Sequence, residues 1–463
     1  MQRDRIAIIG GGLGGLMTAY LLQKLADRPL RISLFEASSR VGGKILTQRF
    51  TQIPAQYEAG AAEFYDYTPV DEDPLKDLVA ELGLSISPMC GSSVIMNDCV
   101  IANLDDVEAH LGSAALEALC KFDEVARGTM SPRSFYEADS LGYAAESSTP
   151  PRFDSVMRSV SEPAARQMIE CLIHSDLATE PEKTSVSYGL QNYLMNHPSY
   201  LQLYSIVGGN EQLPQELDRR TRMDRRMLHR VTRISQGSEQ RLKVLWSPAD
   251  DSAGTESFGE EEFDFVVIAL PLDAVPRVEF SGEKLADAMK QHFEQYNHPA
   301  HYLRMTLLFD QPFWHGKLTE SYWMLDAFHG CCLYDESSRV PEAGYGVLGW
   351  LLGGHDAETM SSLSDAELIE RALDSLPTFL SDGRSYFLEG RVHRWIGAVN
   401  ALPGGVVPQN HDRRHQPEPA EHPALFMVGD YIFDSTLNGV LDSATYVAQW
   451  IVAQLADSED LNS

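Results

Sequence analysis

Apolar runs and helical apolar patterns alternate at the start of the chain. Arg5–Ile9 is a short apolar run that predicts a buried strand, and the stretch from Leu16 to Leu25 predicts a helix. Leu30–Phe35 is a second apolar run and predicts a strand that leads into Glu36. A strand, a helix and a strand in this order predict an α/β unit built on a parallel sheet.

The remaining elements are spread along the chain rather than grouped by type. Helices are predicted over residues 75–83, 163–173, 365–376 and 440–455, and a further helix follows the glycines of 207–210. Strands are predicted over 229–234, 302–309, 347–352 and 425–430. The apolar runs 242–246 and 263–271 flank an acidic insert, which predicts a β-hairpin with a long loop, and 142–151 predicts a loop.

Length and charge narrow the class of protein. A chain of 463 residues is long for one hydrophobic core and predicts two or three domains. Its 37 basic and 67 acidic side chains give a formal charge of −30, which argues against nucleic acid because the phosphates would be repelled. The charge suits a cationic substrate, although solubility explains it more simply. The acidic runs Asp71–Asp73 and Glu260–Glu262 are interpreted as solvated loops.

The spacing of the cysteines and the length of the apolar runs indicate the cellular compartment of the protein. The six cysteines show no C-x-x-C spacing, so they indicate neither a disulfide framework nor a zinc site, and no other metal site is evident. Cys331 and Cys332 are expected to be partly buried thiols. No signal peptide precedes the first strand, and no apolar run approaches the roughly 20 residues that span a bilayer. We therefore expect a cytoplasmic protein without a membrane partner.

One basic cluster is open to two interpretations, an anion site or a solvated helix end. The acidity of the whole chain favours the solvated helix end. The cluster comprises Arg219, Arg220, Arg222, Arg225, Arg226, Arg230 and Arg233.

A glycine-rich loop joins the first strand to the first helix. It contains G-x-G-x-x-G as Gly10, Gly12 and Gly15. In this motif the first glycine allows a tight turn, the second lets the backbone approach a pyrophosphate, and the third lets helix and strand pack closely. The helix N-terminus presents N–H groups and a partial positive charge to phosphates. Glu36 follows the next strand, where an acid can accept hydrogen bonds from a ribose, so the pattern predicts dinucleotide binding.

The segment after Glu36 resembles that of the flavin-containing amine oxidases. Their pattern is an acid, a short spacer and Arg-Val-Gly-Gly-Arg, and here Arg40-Val41-Gly42-Gly43 is followed by Lys44. Lysine keeps the charge of the last arginine but loses its planar fork. The family includes monoamine, L-amino-acid and polyamine oxidases, and it is related to the carotenoid desaturases and protoporphyrinogen oxidases.

The resemblance continues to the C-terminus. Segments similar to the family's are Tyr57–Ala61 (glycine turn near the flavin), Val207–Gly209 (internal glycine pair), Phe263–Pro271 (D-x-V-I-x-A-x-P strand), Phe313-Trp314 (Phe-Trp pair), and Gly429-Asp430 with Gly439–Ala444 (C-terminal flavin segment). Val231 falls where the family holds the adenine through backbone groups. The positions that the resemblance assigns to FAD are Gly10, Gly12, Leu13, Gly14, Gly15, Glu36, Ala37, Arg40, Gly43, Lys44, Gly60, Ala61, Val231, Gly429, Asp430, Gly439 and Val440.

The resemblance also implies a fold. It predicts an α/β protein with a Rossmann-like FAD-binding domain and an interleaved α+β substrate domain. The FAD-binding domain is expected to combine residues 1–73, 206–290 and 391–463, and the substrate domain 74–205 and 291–390. The active site is expected at their junction, where ligand sites commonly lie.

Two departures from the family concern charged residues. The family has a lysine near the flavin on the strand before the Phe-Trp pair, and the matching position is Arg304. Arginine stays protonated near neutral pH, so it can donate hydrogen bonds and supply charge but cannot act as a base. Where the amino-acid oxidases pair an arginine with the substrate carboxylate, this chain has Glu63, which would repel that group. Glu63 either receives an ammonium group or pairs with Arg304 or another internal arginine.

Further departures concern the groups expected around the flavin ring. The amine oxidases hold the substrate nitrogen between two aromatic rings, and the matching positions are Ala398 and Val440, so that pair is absent. In the branch that links FAD covalently a cysteine precedes the first ring, and its match is Gly397, which implies non-covalent FAD. Trp395 is a candidate flavin neighbour, with core packing as the alternative. We therefore take Arg304, Glu63 and Trp395 as the candidate catalytic residues.

These features favour an FAD-dependent oxidoreductase that oxidises a small-molecule amine. Hydride transfer from carbon to flavin N5 suits a C–N bond, because the nitrogen lone pair stabilises the developing cation. Oxygen is the expected acceptor. The alternatives are a desaturase-type dehydrogenase acting on C–C or ring C–N bonds and a non-redox flavoprotein. The sequence leaves open the substrate and the oligomeric state, for which a homodimer is one option.

Overall fold

The computed structural model describes residues 4–136, 152–238, 240–249, 258–340, 342–401, 409–433 and 435–460. The strands are β1 (Arg5–Ile9), β2 (Arg31–Glu36), β3 (Thr47–Arg49), β4 (Gln56–Glu58), β5 (Phe64–Asp66), β6 (Ile86–Met89), β7 (Val94–Met96), β8 (Cys99–Ile101), β9 (Gln202–Ile206), β10 (Asp224–Met227), β11 (His229–Gln236), β12 (Leu242–Pro248), β13 (Gly259–Phe263), β14 (Phe265–Ile268), β15 (Glu279–Ser281), β16 (Pro299–Phe309), β17 (Tyr322–Leu325), β18 (Cys331–Asp335), β19 (Gly346–Gly353), β20 (Phe387–Asn400) and β21 (Leu425–Met427).

The α-helices are α1 (Leu13–Leu25), α2 (Pro74–Glu81), α3 (Leu104–Leu111), α4 (Ser113–Thr129), α5 (Pro132–Tyr136), α6 (Asp154–Ser159), α7 (Pro163–Leu177), α8 (Val186–Leu194), α9 (Gln212–Arg220), α10 (Glu283–Tyr296), α11 (Gly354–Met360), α12 (Asp365–Asp374), α13 (His411–His415) and α14 (Leu437–Asp460). None of these helices, within the described residues, is both long enough and apolar enough to cross a bilayer. The loop predicted over 142–151 lies outside the described residues.

A five-stranded parallel sheet has β1 at its centre, in the order β10–β2–β1–β14–β21. Side chains of β1 alternate between two cores, as the pleat requires. Ile6 and Ile8 pack with residues of α1 and α14, whereas Ala7 and Ile9 pack with residues of β11 and β12. Helices therefore cover one face of the sheet and a second sheet covers the other. The predicted α/β fold with a Rossmann-like unit is confirmed.

The second sheet has the order β13–β12–β11–β15 and corrects the predicted hairpin. β12 pairs antiparallel with β11 on one side and β13 on the other, and the apolar run after β13 leaves this sheet to form β14 beside β1. Asp264 separates the two strands, and its carboxylate accepts hydrogen bonds from the Arg5 N–H and the Arg241 guanidinium, each at 2.8 Å. Continuous apolar sequence in β14 suits a strand buried on both faces of a parallel sheet.

The prediction of solvated loops holds for part of the first acidic run only. Asp71 and Glu72 lie in a loop, and Glu72 is exposed. Asp73 caps α2, where its carboxylate accepts from the N–H groups of Leu75 and Lys76, both at 3.0 Å. Glu260–Glu262 lie in β13, and Glu261 forms an ion pair with Arg226 at 2.5 Å. Most of the basic cluster is likewise neutralised, since Arg219, Arg220, Arg225, Arg226 and Arg233 all pair with carboxylates.

A seven-stranded sheet, here called the substrate sheet, has the order β20–β16–β19–β18–β17–β7–β8. One face packs against α12 through residues such as Leu303 and Met305. The opposite face turns towards α7 and carries polar residues of β16 and β18. Cys331 and Cys332 are both free thiols and fully buried in β18, more deeply than predicted. The boundaries of the two expected domains stay predictions.

Candidate active site

The glycines of the loop between β1 and α1 have different surroundings. Gly10 has a φ of +111°, and a Cβ there would lie 2.4 Å from the Ala269 carbonyl oxygen. A Cβ at Gly15 would lie 2.1 Å from the Gly10 carbonyl oxygen. A Cβ at Gly12, by contrast, would meet nothing closer than the Gly43 Cα at 3.9 Å. Gly10 and Gly15 thus allow close packing, whereas Gly12 leaves an open concavity in front of α1.

The concavity is formed by backbone and by the positive end of a helix. Gly12 is the N-cap of α1, no side chain caps the helix, and its first turn contains no acidic residue. The Gly42 N–H donates to the Gly11 carbonyl at 2.8 Å, so the second glycine pair lies against the first. A helix N-terminus that no side chain caps, with open space in front of it, is a suitable binding site for a phosphate.

Glu36 is held at the rim of this concavity by the backbone. Its carboxylate accepts from the Gly11 N–H and from the Ser38 N–H, both at 2.7 Å. Arg40 instead binds its own loop, donating to the carbonyls of Val41 at 3.1 Å and Gly43 at 2.6 Å. Ala37 lies between these two residues at the end of β2.

Three distant segments meet at Lys44. Its Nζ donates to the Ala398 carbonyl at 2.7 Å and to the Asp430 carboxylate at 2.5 Å. The Lys44 carbonyl accepts from the Ala61 N–H at 3.1 Å, and a Cβ at Gly60 would lie 1.8 Å from that carbonyl oxygen. The Lys44 ammonium therefore joins the N-terminal segment to β20 and the C-terminal segment, and the Lys44 carbonyl joins it to the turn 57–61.

The other predicted FAD residues come from α1, β11 and the C-terminal segment. A Cβ at Gly14 would lie 3.5 Å from Val440 Cγ1. The Gly439 N–H donates to Thr436 Oγ1 at 3.0 Å, and the Gly429 N–H donates to Ser443 Oγ at 3.2 Å. Leu13 opens α1, and Val231 is buried in β11 beside the parallel sheet.

Behind the turn 57–61 lies a buried group of four charged residues, here called the charge layer, made of Arg304, Glu336, Glu58 and Arg339. Arg304 Nη2 donates to Glu336 Oε1 at 2.5 Å, and Glu336 Oε2 accepts from the Glu58 N–H at 2.6 Å. Arg339 Nη1 donates to Glu58 Oε1 at 2.6 Å. Two cations therefore compensate two anions, as burial of charge requires.

Glu63 does not form an ion pair with Arg304 among the residues described. Arg304 pairs with Glu336 instead, so the proposed direct pairing is corrected. The Oε2 atom of Glu63 is buried without a hydrogen-bond partner in the described structure. Burial raises the pKa of Glu63, while the charge of Arg304 opposes the rise. Arg304 is 1% exposed, and its guanidinium lies 5.0 Å from the centre of the Tyr334 ring.

Trp395 connects the substrate sheet to the turn 57–61. It lies in β20 opposite Tyr302, and its Nε1 donates to the Ala59 carbonyl at 2.7 Å. Its neighbour His393 lies opposite Arg304 and is 3.3 Å from the Tyr57 hydroxyl. Burial, with the charge of Arg304 second, lowers the pKa of His393 to about 4, so this imidazole is neutral near pH 7.

A cavity opens between the substrate sheet, the helices α7 and α8, and the C-terminal segment. We call it the tyrosine cavity, because Tyr65, Tyr67, Tyr188 and Tyr302 line it. Asp176, from the last turn of α7, lines it as well. Asn400, Ser435 and Thr436 close it on the side of the C-terminal segment. Positions 398 and 440 carry no aromatic ring, but these four tyrosine rings from other elements line the cavity.

Comparison with known proteins identifies the family to which the chain belongs. A family model described as flavin containing amine oxidoreductase matches residues 13–452. The chain belongs to the flavin-containing amine oxidoreductases.

Relatives of this amine oxidoreductase match parts of their length. It is 24% identical over 304 residues to the prenylcysteine oxidase 1-like protein of Bos taurus, covering 60% of this chain and 59% of that one. It is 37% identical over 91 residues to prenylcysteine oxidase 1 of Mus musculus, covering 20% of this chain and 17% of that one. The chain thus spans under two thirds of the length of these relatives.

Solved structures match over almost the whole chain. Cyclohexylamine oxidase from Brevibacterium oxydans gives a TM-score of 0.73 at 17% identity, covering 98% of this chain and 100% of that one. Putrescine oxidase bound to putrescine gives 0.72 at 18% identity, covering 98% and 99%. A putative protoporphyrinogen oxidase from an Exiguobacterium species gives 0.68 at 18% identity, covering 98% and 100%. These likenesses show the fold.

The sequence analysis missed four charged residues that the structure places at the site, namely Glu58, Glu336, Arg339 and Asp176. Glu58 stood within the turn recognised as Tyr57–Ala61, so the motif could have drawn attention to it. Glu336 and Asp176 carried no local signal. Glu336 follows β18 in a short 3-10 helix, and Asp176 lies in an ordinary amphipathic helix.

Proposed function

We propose that the protein binds FAD non-covalently and oxidises the carbon–nitrogen bond of a small-molecule amine, with oxygen as the acceptor. The observation that carries the proposal is where the tyrosine cavity lies. Its walls include Ser435 and Thr436, from the segment that resembles the family's flavin segment, and Tyr65, which follows the turn 57–61. A substrate there would lie at the junction of the cofactor-binding and substrate-binding parts.

The residues present fit FAD in three respects. The concavity at Gly12 has room for a pyrophosphate, because glycine leaves free the space that the Cβ of any other residue would occupy. Glu36 keeps carboxylate lone pairs free for ribose hydroxyls beyond the two that its backbone contacts use. All six cysteines lie within 74–205 and 291–390, away from the segments assigned to FAD, which supports non-covalent binding.

Bound flavin supplies an acceptor for hydride from the carbon next to the amine nitrogen. The protein's own contribution is position and electrostatics. The Arg304 guanidinium stays protonated, so it cannot take a proton from the substrate. Glu336 neutralises its positive charge. His393 is neutral near pH 7 because of its lowered pKa. The tyrosine rings exclude water from the substrate's apolar chain.

A second candidate is a dehydrogenase of the desaturase type, acting on a C–C or ring C–N bond. The observation that favours it is Arg304 in place of the family's lysine, together with the absent aromatic pair at Ala398 and Val440. In that case the reduced protein would pass electrons to an acceptor other than oxygen.

One experiment separates these functions. The purified protein, loaded with FAD, is mixed anaerobically with a panel of primary amines while its visible spectrum is recorded, and air is then admitted. Bleaching of the flavin absorbance, followed by return of colour with stoichiometric hydrogen peroxide, is the expected result. Bleaching without peroxide favours the dehydrogenase. Flavin that stays with the chain after acid precipitation contradicts non-covalent binding.

A further inference from the structure

A second cavity lies at one end of the substrate sheet, where β17 turns into β18 and β19 leads into α11. We call it the end cavity. Its volume is about 460 Å³, which is within the usual range for small-molecule sites. α7 and α12 pack on opposite faces of the sheet, and each supplies part of the wall. The end cavity shares α7 with the tyrosine cavity, but no residue lines both.

The turn 326–330 forms the part of the wall between these helices. Phe328 and His329 both adopt the left-handed conformation, with φ of +56° and +55°, although neither is glycine. The turn is held against α7, since a Cβ at Gly330 would lie 2.8 Å from the Cys171 Cα. Strained turns persist only where the surrounding packing holds them. The wall of the end cavity is therefore already formed without a ligand.

Two opposite charges border the end cavity without contacting each other. His329 and Asp356 are partners, with Nδ1 and Oδ2 2.6 Å apart. Arg371 on α12 and Asp326 in the turn line the same space, and among the residues described neither forms an ion pair. The Asp326 carboxylate accepts one hydrogen bond in the described structure, from the Asn97 N–H at 2.8 Å. Arg371 and Asp326 thus leave charged groups available to a ligand.

Glu170 adds a second carboxyl group on the α7 side. Burial raises the pKa of Glu170, and the charge of Arg166 opposes the rise. Because burial favours the neutral form of Glu170, Asp326 is the better partner for a cation. Phe328 and Met360 also line the cavity and supply apolar surface.

A molecule that carries both charges would satisfy Arg371 and Asp326 at once. A guanidinium can donate two parallel hydrogen bonds to a carboxylate, and a carboxylate accepts strong hydrogen bonds from an ammonium group. We propose that the end cavity is a second ligand site, which binds a zwitterionic amino acid with an apolar side chain through its carboxylate at Arg371 and its ammonium group at Asp326. The amino acid is a ligand there and not a substrate, so the inference does not rest on the reaction proposed above.

Three ligands with the same carbon chain test the inference on the FAD-loaded protein under anaerobic conditions: norleucine, norleucinol and hexanoate. Norleucinol lacks the carboxylate, and hexanoate lacks the ammonium group. Dissociation constants are measured by calorimetry, and the flavin absorbance is recorded in parallel. We expect norleucine to bind about tenfold or more tightly than either of the others. Its binding should leave the flavin absorbance unchanged, because the end cavity is lined by none of the segments assigned to FAD.

Two variants test the two charged contacts separately. Arg371→Gln should lower the affinity for norleucine to that for norleucinol, and leave norleucinol within about threefold. Asp326→Asn keeps an acceptor for the Asn97 N–H and should lower the affinity for norleucine to that for hexanoate. Arg222→Gln and Asp105→Asn are the matched controls, because they change the net charge equally, and both residues are exposed and lie outside the cavity wall.

Thermal unfolding of each variant establishes that it is folded. Equal affinities for the three ligands, or an unchanged affinity for norleucine in a folded Arg371→Gln or Asp326→Asn variant, would overturn the inference. Loss of norleucine binding in Arg371→Gln alone indicates an anion site and contradicts the zwitterion. A change in flavin absorbance that persists in both variants places norleucine in the tyrosine cavity and contradicts a second site.

Discussion

The glycine loop and the charge layer are built in different ways. In the glycine loop the contact that fixes Glu36 joins residues 25 positions apart and uses backbone N–H groups. In the charge layer the Glu58 N–H donates to the Glu336 carboxylate 278 positions away, and the Glu58 carboxylate pairs with the Arg339 side chain 281 positions away. A backbone cradle can be recognised from one short motif, whereas a buried charge can be understood only once its distant partner is known.

The two regions therefore differ in what a substitution does. In the glycine loop the effect of an added methyl group depends on whether other atoms already fill the space beside that glycine. In the charge layer a removed charge acts through the partner it leaves behind, because an uncompensated buried charge costs more than the pair contributes. Substitutions can be chosen to test each behaviour separately.

The largest effect is expected in the charge layer. Arg304→Met should lower the free energy of unfolding by about 3–5 kcal/mol, because it leaves Glu336 buried without its cation. Glu336→Gln should cost a similar amount for the converse reason. Thermal and urea unfolding of the FAD-loaded protein measure both.

The double variants decide which residue is the partner. Arg304→Met combined with Glu336→Gln should cost clearly less than the sum of the two single changes, whereas Arg304→Met combined with Glu63→Gln should be closer to additive. The opposite pattern would return Glu63 to the role of partner. Arg304→Met should also slow flavin reduction by substrate while FAD stays bound, and an unchanged rate would remove Arg304 from the candidate catalytic residues.

A smaller effect, of a different kind, is expected in the glycine loop. Gly15→Ala places a methyl group 2.1 Å from the Gly10 carbonyl oxygen, and it should destabilise the protein with or without FAD by about 1–3 kcal/mol. Gly12→Ala meets nothing closer than the Gly43 Cα at 3.9 Å, an ordinary van der Waals contact, so the FAD-free protein should keep its stability while FAD retention falls. Unfolding of the FAD-free proteins and the visible absorbance after gel filtration give the two readouts. Equal loss of stability in both variants would contradict the difference drawn between the two glycines.

Sequence patterns predicted the local elements well and the long-range ones poorly. β1 was placed at its observed bounds, and α1 and β2 within three residues, because apolar periodicity and glycine chemistry act over a few neighbours. The run after Phe263 was assigned to a hairpin, since nothing local indicates that Asp264 ends one strand and that the next joins β1. Asp176 was missed for a related reason. An acid near the end of an amphipathic helix looks solvated until the elements that cover it are known.

Loss of the Glu36 carboxylate should affect the cofactor more than the fold. Glu36→Ala removes the expected ribose contacts and should weaken FAD binding by about 1–3 kcal/mol. Its two present contacts are with exposed or partly buried N–H groups that water can reach, so the stability of the FAD-free chain should fall less. FAD titration of the apoprotein measures the first effect, and unfolding measures the second. An unchanged FAD affinity in a folded variant would show that Glu36 is not the ribose ligand.

The smallest effect is expected at Trp395, where the substrate sheet meets the turn 57–61. Its Nε1 donates to the Ala59 carbonyl across the gap between β20 and the turn 57–61. Trp395→Phe keeps most of the ring and leaves that carbonyl without its donor, so the free energy of unfolding should fall by about 1 kcal/mol, as for one hydrogen bond. Trp450, 38% exposed on α14, is the control, and Trp450→Phe should change stability less. If Trp395 is only a structural tie, the loss will be equal with and without FAD, and the flavin spectrum will not move. If the indole also lies against the flavin, the FAD-loaded protein will lose more stability than the FAD-free protein, and the visible absorbance bands will shift. A loss confined to the FAD-free protein would contradict both readings.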